Sequence, residues 1–171
     1  MVAAASVQSA AMGIDYFALP FRPDDPELVV DHMREMLRLA DGRRWINIRP
    51  DLPDDVMAAL DRKPSIFSGR GPRIPTATWV PSSFNRKGER VPTQAGLTHP
   101  QGHDAKMKLS AAGVETPDGW VVEQDHPKRG FTYLIPDDDD PTVAIEFLVA
   151  AADAVSGVHS DGKWVAIVAV A

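Results

Sequence analysis

The chain has no cysteine. That absence removes disulfide staples, thiolate nucleophiles and cysteine-ligated zinc or iron–sulfur centres, and it suits a reducing compartment. No apolar run approaches the roughly 18 residues that a membrane-crossing helix needs. Residues Met1–Gly13 lack the basic end and long apolar centre of a secretion signal. A cytoplasmic location without membrane contact is the expectation. Nucleophile motifs are missing as well, since no Gly-x-Ser-x-Gly occurs. Gly69 and Gly71 flank Arg70 in the pattern of an anion nest, yet no Lys-Ser or Lys-Thr follows, so a P-loop is not indicated. The run Asp137–Asp140 contains neither the glycine nor the alternating ligands of a calcium loop, and its place just before Pro141 suits helix capping instead.

What the chain does contain is an internal echo. The stretch from Tyr16 to Arg49 reappears, blurred, from Phe131 to Val170. Each copy passes from an apolar strand through Asp-Asp-Pro, at Asp24–Pro26 and Asp139–Pro141, into a helical stretch. It then turns at Asp-Gly, takes one or two basic residues, and reaches a tryptophan that opens a second strand: Asp41, Gly42 and Trp45 in one copy, Asp161, Gly162 and Trp164 in the other. In the first helix Val29, Met33, Met36, Leu37 and Ala40 share a face, with Asp24 or Asp25 as its expected cap. Ile46 and Ile48 alternate with Trp45, Asn47 and Arg49, as in a strand with one covered face. The second copy is more apolar. Between Thr142 and Val155 only Glu146 and Asp153 are charged, and their spacing of seven puts both on one helical stripe. Trp164–Ala171 is an unbroken apolar run, suited to a strand covered on both sides.

Two strand-helix-strand units indicate an α+β protein of the ferredoxin-like, split βαββαβ kind, with both helices on one face of an antiparallel sheet. The expected organisation is a flexible leader at 1–11 and a single domain at 12–171. Within the domain, 12–50 is the first unit, 51–112 an inserted arm and 113–171 the second unit. One feature conflicts with that topology: it puts the last strand at a sheet edge, while the composition of this strand asks for cover. Self-association as a homodimer would supply the cover. So would strands from the arm, such as Thr76–Val80, together with Gly119–Gln124.

The arm is chemically distinct. From Arg62 to Lys108 there are nine Lys or Arg against two acids, a charge of +7 in a chain whose total is −6. A short helix is expected at Pro53–Arg62, with Asp54 and Asp55 at its start; beyond it the proline and glycine content favours turns and extended pieces. Arg70, Arg73, Arg86 and Lys87, with Trp79 alongside, form the candidate site for an anionic small ligand or protein partner. Nucleic acid is the less favoured occupant, because the chain as a whole is acidic. Pairing of these cations with the acidic body of the same molecule is the simpler alternative. The candidate metal ligands are His99, His103 and Asp104, with His126 approaching from another strand. The matched tryptophans Trp45 and Trp164 are expected to serve packing rather than a ligand cage.

The functional expectation is a non-catalytic, cofactor-free interaction module that self-associates and holds an anionic partner with its basic arm. The alternatives are a metal-assisted hydrolase or lyase using the His/Asp cluster and a divalent metal, and a structural subunit that docks onto another protein.

Overall fold

A computed structural model describes residues 13–60, 71–158 and 160–171. The expected leader at 1–11, and with it Arg62, Lys63, Phe67, Gly69, Arg70 and His159, lie outside the described residues. The elements run β1 (Asp15–Phe21), α1 (Glu27–Leu39), β2 (Arg44–Pro50), α2 (Asp54–Leu60), β3 (Thr76–Val80), β4 (Ser83–Phe84), β5 (Arg90–Val91), β6 (Thr93–Thr98), α3 (Ala105–Ala111), β7 (Val121–His126), β8 (Gly130–Ile135), α4 (Pro141–Val155) and β9 (Trp164–Val170). The protein is α+β, built on a seven-stranded sheet in the order β1, β9, β2, β3, β6, β8, β7, with β4 and β5 forming a separate small hairpin. Every neighbouring pair in the large sheet is antiparallel.

Both strand-helix-strand units are present, as β1-α1-β2 and β8-α4-β9, but they are not placed equivalently. One strand, β9, separates β1 from β2, whereas β2, β3 and β6 separate β8 from β9. The arrangement thus departs from the four-stranded ferredoxin-like sheet in two respects. The segment expected to be an inserted arm supplies β3 and β6 to the middle of the sheet. The last strand is interior, paired along its whole length with β1 on one side and β2 on the other. That position accounts for its apolar run, and the reason for expecting self-association through β9 falls away.

The face covered by α1 and α4 carries the core. Leu19, Ile46, Ile48, Ala77, Leu97 and Tyr133 point into it from the strands, against Val29, Val30 and Met33 of α1 and Ile145, Leu148 and Ala152 of α4. The alternation expected in β2 holds, with Ile46 and Ile48 buried and Trp45, Asn47 and Arg49 half-buried on the other face. On that second face Asn47 accepts a hydrogen bond from Thr78 Oγ1 at 2.8 Å, and Arg49 reaches Met57 of α2 at 2.9 Å.

The two helix starts differ. Asp140 caps α4, accepting from the Thr142 N–H at 2.9 Å, and Pro141 occupies the first turn. At α1 neither Asp24 nor Asp25 caps. Pro26 takes the cap position, and its ring has no acceptor to offer; the turn before it is closed by the Asp25 N–H donating to the Arg22 carbonyl at 2.9 Å.

Candidate functional site

Among the described residues, those singled out in the basic arm stand on separate segments. Trp79 points into the core and is 1% exposed, packed beneath the helices rather than presented to a ligand. Arg73 lies in the connection before β3, and Arg86 and Lys87 lie at the tip of the β4–β5 hairpin, all exposed. That tip is organised by Asn85, whose Oδ1 accepts from the Lys87 and Glu89 N–H groups at 2.9 and 3.0 Å. Two other arm cations pair with acids outside the arm: Arg90 with Asp137 at 2.9 Å and Lys106 with Asp125 at 2.6 Å. Such exposed pairs contribute little stability, about 0–1 kcal/mol each, but they neutralise part of the arm's charge.

The histidine cluster is also dispersed. His99 is 1% exposed and packs on Phe131 with ring centroids 5.2 Å apart, and among the described residues neither of its ring nitrogens has a hydrogen-bond partner. Burial pushes its pKa below the ordinary histidine value, with the charge of Asp125 and then its own backbone acting in the opposite direction. His103 and Asp104 are exposed on a 3-10 turn at Gly102–Asp104. His126 Nδ1 accepts from the Lys128 and Arg129 N–H groups at 3.1 and 3.2 Å, and so closes the β7–β8 turn instead. Among the described residues no three His, Asp or Glu side chains gather as a metal site.

A cleft that sequence reasoning did not identify lies elsewhere, where the two units meet. Phe21 and Trp164 are direct cross-strand partners at the ends of β1 and β9. They form one wall with Pro23 and Pro26, facing Ile145 and Val149 of α4, around a volume of about 380 Å³. Glu146, Ala150 and Asp153 border it from the exposed stripe of α4, and Ser160 and Gly162 border it from the α4–β9 connection. The sequence held two signals for this place. Glu146 and Asp153 share the wet stripe of an otherwise buried helix, and the Asp-Gly turn puts Gly162 at φ +71° just ahead of Trp164.

The echo explains why only one of the two tryptophans lines the cleft. Gly42 likewise has positive φ, but two residues separate it from Trp45, whereas one separates Gly162 from Trp164. Side chains on a strand alternate, so one extra residue reverses the face. Trp164 stands opposite Pro50 on the helix-covered side, and Trp45 opposite Ala169 on the other side.

Compared with known proteins, the chain matches no family model, no curated protein and no solved structure.

Proposed function

We propose that the chain is a non-catalytic binding module and that its ligand site is the cleft between α4, the β1–α1 connection and the start of β9. One observation carries this reading: an apolar cleft of about 380 Å³, walled by elements from both ends of the chain. Small-molecule sites usually occupy about 300–1,000 Å³, with mostly apolar walls and a few polar groups that fix orientation. Here the polar groups among the described residues are Glu146, Asp153 and Ser160. The cleft takes precedence over the basic arm because Arg73, Arg86 and Lys87 stand on separate segments and Trp79 is inside the core.

Ala150 offers a direct test, since it lines the cleft from the solvent-exposed stripe of α4. Ala150→Phe should fill the mouth without disturbing the core. In a small-molecule screen read by amide chemical shifts, hits are expected to move the signals of Phe21, Val149 and Trp164 in the parent protein and to lose that effect in Ala150→Phe. Hits that map to other surfaces, or that bind the variant equally well, would remove the cleft as the site.

A further inference from the structure

We infer that the cleft takes an elongated organic cation, an alkylammonium ligand held most tightly when it carries an ammonium group at each end. The inference rests on the reading of the cleft as a binding site and adds the chemistry of its occupant. Glu146 and Asp153 are seven residues apart on one stripe of α4, a rise of about 10 Å along the helix axis. Val149 and Ala150 lie between them and border the same cleft. Two carboxylates joined by an apolar strip match a methylene chain with a positive charge at each end. Phe21 and Trp164, 8% and 1% exposed, close the cleft from below as apolar packing, so the charge preference comes from the carboxylates.

The surroundings carry the same sign. The segments that wall the cleft, 21–27, 145–153 and 160–164, contain six carboxylates against two cations, Arg22 and Lys163. Arg22 passes 3.4 Å from where a Cβ on Gly162 would stand, and its guanidinium is engaged by Asp24 at 3.4 Å. An anionic ligand would therefore enter a field of its own sign, and a cation would be drawn in. Because the carboxylates are exposed, each contact is worth at most about a fivefold gain in affinity. The dicationic preference comes from engaging both.

The test is an amide-shift titration of the full chain with four probes at constant ionic strength: 1,8-diaminooctane, octylamine, octan-1-ol and octanoate. The diamine is expected to bind most tightly, octylamine next, and the alcohol and the acid most weakly, with shifts centred on Phe21, Val149 and Trp164. Glu146→Gln and Asp153→Asn should each weaken the diamine by up to about fivefold and leave the alcohol unchanged. Diaminobutane, too short to reach both carboxylates, should lose the advantage of the second charge. If octanol or octanoate binds in the cleft as tightly as the diamine, the cationic ligand is refuted while the cleft survives as a binding site. If none of the probes shifts those three residues while hits from the wider screen do, the cationic ligand is refuted and the cleft survives; if no screened compound shifts them either, both readings fail.

Discussion

His99 puts a polar ring in a position where no described residue bonds it. A buried polar group without a partner costs about 1–3 kcal/mol, and both nitrogens of this ring are unpartnered beside Phe131. Burial holds its pKa below the ordinary histidine value, so the folded protein binds a proton less readily than the unfolded chain. The resulting pH dependence has a definite sign. The contribution to stability is fully present above the unfolded histidine pKa of about 6.5 and declines as pH falls from there through the lowered folded value. His99→Leu should flatten this slope, raising the denaturant midpoint at pH 5 relative to the parent by more than it does at pH 8. Equal slopes in the two proteins would show that the ring does not titrate against its burial. From the sequence, His99 and His103 read as potential metal ligands because they are four apart. β6 ends at Thr98, Pro100 and Gly102 intervene, and one ring goes inside while the other stays in water. Spacing orients side chains only when the backbone between them is regular.

At the scale of elements the sequence was most legible where the chain alternates or turns. The helix of the second unit, its Asp140 cap, the strand Thr76–Val80 and the short helix beginning at Asp54 all stand where composition indicated. What composition could not supply was the close approach of one strand to its neighbour. Gly130 opens β8 at φ +86°, and a Cβ there would lie 1.9 Å from the Leu97 carbonyl oxygen of β6. Two costs thus fall on Gly130→Ala: a left-handed backbone that alanine resists and a collision with main chain that cannot move aside. The variant should lose at least about 2 kcal/mol of stability by chemical denaturation. An unchanged midpoint would mean that β6 and β8 separate there without penalty. Gly130 ends a run of turn residues, and nothing local distinguishes its need for glycine from that of exposed Gly88, which has open space around it.

For the whole molecule, strand order decides which surfaces are free. With β9 interior, the sheet edges among the described residues are β1 and β7, and β7 carries Glu123, Asp125 and a bulge between Val122 and Gln124 that discourage pairing. The other edge, β1, is apolar from Tyr16 to Leu19 and is interrupted by Pro20 opposite Val165. A proline supplies no N–H to a ladder, and at an edge that deficit protects against a second chain adding on. Pro20→Val should therefore promote self-association, seen as an average mass in light scattering that climbs more steeply with concentration than the parent's. Identical masses would show that the proline is not what blunts this edge.

The sequence by itself determined the local elements: two strand-helix-strand units, the alternation that gives β2 one covered face, the buried character of α4 and the apolar demand of β9. These follow from periodicity and from turn and cap residues within a few positions of one another, which act before distant parts of the chain meet. Only the tertiary structure decided that β9 enters between β1 and β2, that β3 and β6 fill the centre of the sheet, and that Phe21 meets Trp164 across a cleft edged by Glu146 and Asp153. Those outcomes depend on which strand edges pair across more than a hundred residues. Burial of apolar surface drives such pairing, but it is nearly indifferent to the order of the partners until side chains interlock.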